Sequence, residues 1–313
     1  MDAVTYTGTG ASQSISSLGF SPDLVWIKGR SGATDHAIYD TTRGVQQDLG
    51  SNLTTDETTE AQGLTAFGAN GFTIGTLAKI NTSTATYVGW AWDESAINGL
   101  DIVSYTGNGT ARTISHNLGV APKMIIVKAR TTASTDQGWP VYHASNTAAP
   151  ETDYLLLSSD AATADLDTVW NDTAPTASVF SVGTGALVNT NNDTYIAYLF
   201  SEVEGFSKFG SYTGNGSSDG PFVWCGFRPA LVISKNTGGT GNWTILDNQR
   251  EGYNVDNDPL FPNLSNAEGT TDLFDFLSNG FKTRSTDSSV NTSGTNYIFA
   301  AFAEAPFKYA RAR

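Results

Sequence analysis

The sequence contains few residues of several types, and each shortage excludes a class of protein. Its 313 residues include a single cysteine, Cys225, so an internal disulfide cannot form. Lysine and arginine number 17 against 31 aspartates and glutamates, and the formal net charge of −14 leaves no basic surface for nucleic acid or anionic lipid. No apolar run approaches the roughly 18 to 20 residues that a membrane span requires. We therefore expect neither a nucleic-acid partner nor membrane insertion.

Two further absences concern the place of assembly. Residues 1–20 have neither the basic region nor the apolar region of a secretory signal peptide. The lone Cys225 stands among apolar neighbours in PFVWCGF, which predicts a buried small hydrophobic residue and a reducing compartment. Only 15% of the residues are charged, against about 25% in a typical domain, and Thr, Ser, Asn and Gly take their place. That composition is typical of strands and turns.

An internal repeat organises the chain, because four blocks follow one another in the same order three times. The first block, YTGTG or YTGNG, begins at Tyr6, Tyr105 and Tyr212. The second, typified by SPDLVWIK, ends at Lys28, Lys128 and Lys235. The third, HAIYD, WPVYH or WTILD, begins at His36, Trp139 and Trp243, and the fourth, typified by YVGWAWDE, ends at Glu94, Glu202 and Glu304. We therefore predict three modules, at residues 1–96, 97–205 and 206–313.

The blocks predict strands separated by tight turns. LVWIK, MIIVK and LVISK are rich in β-branched residues and follow a proline, which suits the start of a strand. YVGWAW, YIAYLF and YIFAAF are apolar at nearly every position, as expected of strands buried on both faces or packed in a sandwich core. Asn-Gly pairs favour hairpin turns, and only TDLFDFLSN, from Thr271, suggests a short helix. We predict an all-β fold of three tandem β-sandwich modules, jelly-roll-like in type.

No residue set has the spacing of a known catalytic, cofactor or metal site. The TGTG and TGNG segments precede neither a helix nor Gly-Lys-Ser/Thr, so we interpret them as turns rather than phosphate loops. The histidines share no repeated position, and we expect them on the surface or in turns: His36, His116 and His143. The acidic loops at 56–57, 191–193 and 256–258 do not fit the twelve-residue calcium loop, and we interpret them as solvated. The prediction is a non-enzymatic protein without cofactor or metal.

Two kinds of side chain stand out within the repeat. We expect the repeated lysines to lay their stems on apolar surface and to extend their charges into solvent. Four of the seven tryptophans lie in strand-like runs and are predicted core residues: Trp26, Trp90, Trp92 and Trp224. Trp139, Trp170 and Trp243 stand among Gly, Asn and Thr, where packing is the favoured interpretation. Because Trp139 and Trp243 occupy corresponding positions, they are the candidate contacts with a partner or a glycan if their rings are exposed.

The last third of the chain resembles a known kind of module. FSKFGSYTGNGSSDGPFVWCGFRPALVISK from Phe206, LSNGFKTR from Leu277 and YIFAAFAEAPFKYARAR from Tyr297 look like a repeated β-module of unknown function. That module is found in tail-fibre-like and other virion structural proteins of tailed bacteriophages, especially marine phages. The resemblance is specific for residues 206–313 and reaches residues 1–205 through the internal repeat. It implies a virion component, with no binding residues to carry over.

The resemblance and the composition together lead to three hypotheses. The first is a non-enzymatic bacteriophage virion structural protein, a tail fibre or a tail or capsid appendage that mediates adhesion to a host-surface glycan or protein. The alternative is a decoration (cement) protein that binds neighbouring capsid or tail subunits, and the third is a glycan depolymerase. The partners would include other virion proteins, and assembly in the host cytoplasm would need no signal peptide. Analogy with tail appendages suggests a homotrimer.

Overall fold

The computed structural model of the chain describes residues 1–131, 138–250, 254 and 258–304. Strands and turns dominate these residues, and the helices among them are three, each of four residues. The predicted all-β fold is confirmed. We name residues 1–96, 97–205 and 206–313 modules one, two and three, and the boundaries themselves stay predictions.

Each module contributes its own set of strands. Module one contains β1 (Asp2–Thr7), β2 (Gln13–Ile15), β3 (Leu24–Gly29), β4 (Ala37–Asp40), β5 (Gln47–Asp48), β6 (Thr58–Thr59), β7 (Leu64–Gly68), β8 (Gly71–Ile74), α1 (Ala78–Asn81) and β9 (Thr86–Trp92). Module two contains β10 (Leu100–Thr106), β11 (Arg112–Ser115), β12 (Met124–Thr131), β13 (Pro140–His143), β14 (Asp153–Leu156), β15 (Ala164–Asp165), α2 (Asp167–Trp170), β16 (Val179–Val182), α3 (Ala186–Asn189) and β17 (Thr194–Phe200). Module three contains β18 (Ser207–Thr213), β19 (Phe222–Trp224), β20 (Leu231–Asn236), β21 (Thr244–Asp247), β22 (Phe274–Leu277), β23 (Gly280–Thr283) and β24 (Asn296–Phe302).

The same strand order recurs in three antiparallel sheets. These main sheets have the orders β1-β9-β3-β4, β10-β17-β12-β13 and β18-β24-β20-β21, and β14 and β15 extend the second of them. In each, the strand of the fourth sequence block lies between the strands of the first and second blocks. A smaller outer sheet accompanies each main sheet: β2-β8-β7, β11-β16 and β19-β23-β22. Corresponding sequence blocks therefore form corresponding strands.

The short helix expected from Thr271 is wrong. Phe274–Leu277 forms β22, which pairs with β23 through a two-residue turn. Phe274 and Phe276 are both fully buried, and they lie two residues apart, so the period of a strand directs both rings into the module core. Sheet pairing thus overrides a weak local helical tendency.

A buried asparagine holds the turn at the end of each YTGTG or YTGNG block. Its Oδ1 atom accepts a backbone N–H bond from the turn at 2.8 to 3.0 Å: Asn81 from Thr9, Asn189 from Asn108, and Asn291 from Asn215. The first glycine of the block lies against backbone, and a Cβ atom on Gly8 would be 2.2 Å from the carbonyl oxygen of Thr82. The interpretation of these segments as turns is confirmed: close packing requires the first glycine, and a positive φ of about 70° favours glycine at the second.

Strand β3 is buried on both faces because the main sheet packs against two layers. Val25 and Ile27 share a core with Phe72 of the outer sheet of module one. Leu24 and Trp26, on the opposite face, belong to a core that residues of all three modules form. The neighbouring strand β9, for which burial on both faces or in a sandwich core was predicted, is buried from Tyr87 to Trp92.

Three aromatic rings meet where the modules join. Trp92, Phe200 and Phe302 are the last residues of the corresponding strands β9, β17 and β24. Their ring centroids are 6.3 Å apart for Trp92 and Phe200, and 5.8 Å apart for each pair with Phe302. The rings line an apolar cavity of about 30 Å³ together with side chains of all three modules. Because each ring contacts the other two, the modules surround a pseudo-threefold axis.

Corresponding backbone hydrogen bonds close the three modules into a ring. In each bond an N–H group donates to a carbonyl oxygen of the next module: Glu57 to Arg130 (2.9 Å), Thr163 to Thr237 (3.1 Å) and Glu268 to Arg30 (2.9 Å). We name these contacts the first, second and third seams, which join modules one and two, two and three, and three and one. Since module three returns to module one, a single chain completes the ring.

Truncation of one axial ring tests the shared core. Phe302→Ala is expected to lower the free energy of unfolding by roughly 3–5 kcal/mol, because the ring is 3% exposed and contacts residues of the other two modules. Urea denaturation followed by tryptophan fluorescence measures the change. The control Ile97→Ala, at a site that is 82% exposed, should change the free energy by less than about 0.5 kcal/mol. Equally small effects of both variants would contradict the shared core.

Candidate functional site

The two candidate contact residues lie in the interior. Trp139 and Trp243 are 0% and 1% exposed. The indole N–H of Trp139 donates to the carbonyl oxygens of Gly50 (3.1 Å) and Leu53 (3.0 Å) across the first seam. The indole N–H of Trp243 donates to the carbonyl oxygen of Leu156 (2.8 Å) across the second. The hypothesis that this pair contacts a partner or a glycan is therefore wrong, because both rings are covered by the neighbouring module.

Histidine takes the corresponding position at the third seam. His36 Nδ1 accepts a hydrogen bond from Trp26 Nε1 (2.8 Å), so the proton lies on Nε2, which donates to the carbonyl oxygen of Phe261 (3.0 Å). Burial lowers the pKa of His36 to about 3. Across the second seam His143 Nε2 bonds to the carbonyl oxygen of Phe299 (3.1 Å), and burial lowers the pKa of His143 to about 4. The expectation that the histidines lie on the surface or in turns is wrong as to the surface, since all three are buried: His36, His116 and His143.

The repeated lysines are buried and do not reach solvent. Lys28, Lys128 and Lys235 are each 0% exposed. Lys28 Nζ donates to the carbonyl oxygen of Asn266 in module three (2.8 Å), and Lys235 Nζ to that of Asp160 in module two (3.2 Å). Burial lowers the pKa of each lysine to about 8. The predicted extension into solvent is wrong for all three, and for Lys28 and Lys235 a carbonyl group of an adjoining module takes the place of water.

Two of the three seams contain a buried ionic network. At the first, the Glu57 carboxylate binds Arg43 of its own module (2.9 Å) and Arg130 of module two (2.8 Å). Arg43 also binds Asp40, which accepts a hydrogen bond from the Tyr198 hydroxyl of module two (2.8 Å). The third seam repeats this arrangement with Glu268, Arg250, Arg30, Asp247 and Trp90 in the corresponding places. Each network links one glutamate to two guanidinium groups in different modules.

The second seam keeps the backbone contact but carries neutral side chains at the corresponding positions. Asn146 and Thr163 stand in place of the arginine and the glutamate, and the Thr163 hydroxyl donates to Asn146 Oδ1 (2.8 Å). Thr237 stands in place of the second arginine. His143 replaces the aspartate. The three seams are therefore alike in backbone geometry and unlike in charge.

The exposed aromatic residues lie on the outer sheet of module three. Phe222 and Trp224 flank the buried Val223 on β19 and are 44% and 59% exposed. Because side chains alternate along a strand, both rings point to the outer face. The prediction of a core position is wrong for Trp224 and confirmed for the other three strand tryptophans, Trp26, Trp90 and Trp92.

Modules one and two carry small polar residues at the corresponding positions. The buried residue between the two rings pairs with a buried phenylalanine in every module: Val223 with Phe281, Ile15 with Phe72, and Ile114 with Phe180. Its flanking residues are Phe222 and Trp224 in module three, Ser14 and Ser16 in module one, and Thr113 and Ser115 in module two. The aromatic pair is specific to module three, and the outer sheet forms twice without it.

Charged side chains border the two rings. Lys208 Nζ lies 5.9 Å from the centroid of the Trp224 ring and is paired with Glu202 at 2.8 Å. Lys282 stands opposite Phe222 on β23 and binds the Asp219 carboxylate at 2.6 Å. That hydrogen bond and the nearby positive charge hold the pKa of Asp219 below its usual value. We name this surface the aromatic strip, comprising Phe222, Trp224, Lys208, Lys282 and Asp219.

A family model described as a domain of unknown function, DUF7483, matches residues 1–306. The chain belongs to the DUF7483 family. No curated protein matches the sequence. Among solved structures, the DUF7483 chain is similar to the STIV MCP, with 7% identity over 65% of this chain and 85% of that one, and a TM-score of 0.19. A similarity of that size carries no argument.

Two further features of the DUF7483 chain concern ligands and membranes. Within the described ranges, no three His, Cys, Asp or Glu side chains are grouped as metal ligands. Residues 256 and 257 of one acidic loop lie outside those ranges. Among the helices of the same ranges, none has the length and apolar character of a membrane span. Cys225 is buried as predicted, and burial raises the pKa of its thiol to about 12.

Removal of one glutamate tests the ionic network of the first seam. Glu57→Gln is expected to lower the free energy of unfolding by roughly 3 kcal/mol, because the network would keep two guanidinium groups, Arg43 and Arg130, against the single carboxylate of Asp40. The control Glu202→Gln breaks a pair whose side chains are 30% and 33% exposed, and should cost less than about 1 kcal/mol. Urea unfolding near neutral pH compares the two variants. A cost for Glu57→Gln no larger than that of the control would exclude a stabilising role for this network.

The buried histidines predict a loss of stability in acid. In the unfolded chain the two histidines take up protons near pH 6.5. In the folded chain their pKa values are about 3 for His36 and about 4 for His143, so both stay neutral well below pH 6.5. Stability should therefore fall as the pH drops below 6.5, by up to about 1.4 kcal/mol per pH unit for each histidine. Urea unfolding of the wild type and of His143→Gln between about pH 7.5 and about pH 5 measures the slope. Parallel pH profiles would contradict the assignment, since the variant should lose stability less steeply.

Proposed function

We propose that the chain is a non-enzymatic structural protein of a bacteriophage virion, and that the aromatic strip mediates its adhesion to the host surface. The resemblance of residues 206–313 to virion modules supports the setting. The observation that carries the proposal is the pair of exposed rings, Phe222 and Trp224, on one outer sheet. The same fold forms in modules one and two with serine and threonine there, so folding does not explain the rings. Exposed aromatic side chains of this kind are typical of binding surfaces.

The ring of modules supports this role by holding the aromatic strip in place. Phe281 on β23 packs edge-on against Phe299 of the main sheet, with centroids 5.3 Å apart, and against Tyr212 at 5.9 Å. Phe281 thereby anchors the outer sheet to the core that all three modules share. A surface that is already ordered loses less conformational freedom on binding.

The closed ring of three modules also favours a single chain as the functional unit. The three seams are all closed between modules of one chain, so none of them is left open for a second chain. We therefore propose a monomer in place of the homotrimer suggested by analogy. Light scattering of the purified protein should give a mass close to 33.2 kDa, and a mass three times larger would contradict the monomer.

Substitution of the two rings tests the adhesive role. Phe222→Ser combined with Trp224→Ser introduces the residue type found in module one, and should lower binding of the purified protein to host cells by roughly tenfold or more. Its melting temperature should change by less than about 2 °C, because both rings are largely exposed. The control Ile97→Ala alters an exposed apolar residue outside the strip and should bind as the wild type does. Unchanged binding of the double variant would exclude the strip as the adhesive surface.

The position of the chain on the virion separates adhesion from decoration. Immunogold electron microscopy of virions, with antibody raised against this chain, should label a tail or capsid appendage. Label spread evenly over the capsid or tail shell, with no binding of the purified protein to host cells, would instead favour the decoration protein.

A further inference from the structure

We infer that the aromatic strip is a carbohydrate-binding site, at which Trp224 stacks on a pyranose ring of an uncharged surface polysaccharide. The inference rests on the proposed function, because it names the ligand class of the same surface. A pyranose presents C–H groups on one face and hydroxyl groups around its edge. A site for it therefore needs a flat, exposed aromatic ring with polar side chains beside it.

The Trp224 ring has a defined position although it is exposed. One edge lies against the backbone of Gly226, where an added Cβ atom would be 3.1 Å from Cζ2 and 3.2 Å from Cη2 of the indole. Lys208 stands over the ring at 5.9 Å and is itself held by Glu202. These contacts orient the indole before any ligand arrives, which reduces the entropy that binding costs.

Polar groups beside the aromatic rings are suited to form hydrogen bonds with the hydroxyl groups of a sugar. Lys282 lies directly opposite Phe222 on the neighbouring strand, and its ammonium group is paired with the Asp219 carboxylate. Asp219 is highly exposed, so its remaining oxygen can accept hydrogen bonds from a ligand, and the Lys282 ammonium group can donate them. An aromatic ring flanked by such a donor and acceptor matches the two surfaces of a sugar.

The charge balance of the strip favours an uncharged sugar. Three basic side chains at the strip and its border are each paired with a carboxylate: Lys208 with Glu202, Lys282 with Asp219, and Arg284 with Asp275. Since each positive charge is already balanced locally and the chain carries a net charge of −14, an acidic polysaccharide would meet repulsion without a compensating site. A neutral polysaccharide avoids that repulsion.

The small apolar area argues against a protein partner. A stable protein interface buries about 800 Å² on each side around a cluster of apolar anchors. In the described part of the chain, the exposed large apolar side chains are Val45, Ile97, Val120, Leu166, Phe222 and Trp224. Of these, Phe222 and Trp224 alone share a strand. Two adjacent rings match one or two sugar units rather than a protein surface.

An array of purified bacterial polysaccharides tests the ligand class with the full chain. We expect binding to neutral polysaccharides, weakened roughly tenfold or more by Trp224→Ser and unchanged by Ile97→Ala. The melting temperatures of both variants should stay within about 2 °C of the wild type, which separates lost binding from lost folding. Binding to acidic polysaccharides alone, binding unaffected by Trp224→Ser, or no binding to any polysaccharide on the array would overturn the inference.

Treated host cells distinguish failure of this inference from failure of the proposed function. Periodate oxidises the vicinal diols of surface sugars, whereas proteinase K removes surface protein. We expect binding of the purified chain to be lost after periodate and kept after proteinase K. Binding that is kept after periodate and lost after proteinase K would overturn the carbohydrate site but leave host adhesion intact. No binding to untreated cells would overturn the proposed function, and the polysaccharide array would still decide the ligand class.

Discussion

Burial of both faces of each main sheet is the constraint on which the rest of this structure depends. The outer sheet of module one covers the face that carries Val25 and Ile27, but it cannot also cover the face that carries Leu24 and Trp26. That second face is covered only where the other two modules meet it, so the shared core belongs to no module by itself. The hydrophobic effect thus favours closure of the ring as well as the packing of each outer sheet on its main sheet.

Polar groups around the shared core set how the modules meet. The N–H group of a buried indole or imidazole needs a hydrogen-bond acceptor in place of water. Each seam supplies a carbonyl oxygen at the corresponding position: Gly50 for Trp139, Leu156 for Trp243 and Phe261 for His36. The repetition of this contact gives the three seams one geometry. The first and third seams also contain an ionic network, whereas the second has neutral side chains at the corresponding positions. The networks are therefore not required for two modules to join.

The architecture separates the residues that must be kept from those that can change. Turn glycines and buried asparagines are fixed by contacts that all three modules make, whereas the outer faces of the small sheets meet solvent. Serine and threonine flank the buried residue there in modules one and two, and Phe222 and Trp224 do so in module three. A threefold repeated scaffold therefore presents one distinctive surface, and the other two modules show what the scaffold itself requires.

Sequence by itself determined most of the strands and their order along the chain, because alternation, proline and tight turns act over a few residues. The Asp-x-x-Arg pairs at Asp40 and Asp247, which recur in modules one and three, could also have been found by aligning the repeats.

Only the tertiary structure decided which surfaces face water. For Trp139 the sequence favoured packing but left an exposed ring open, and its burial depends on residues 86 to 89 positions away in the chain. Trp224 stands in an apolar run and is exposed, because β19 lies in an outer sheet with nothing packed beyond it in the described chain. A local pattern shows which side chains share one face of a strand. Whether another part of the chain covers that face depends on modules about a hundred residues away, so the pattern cannot show it.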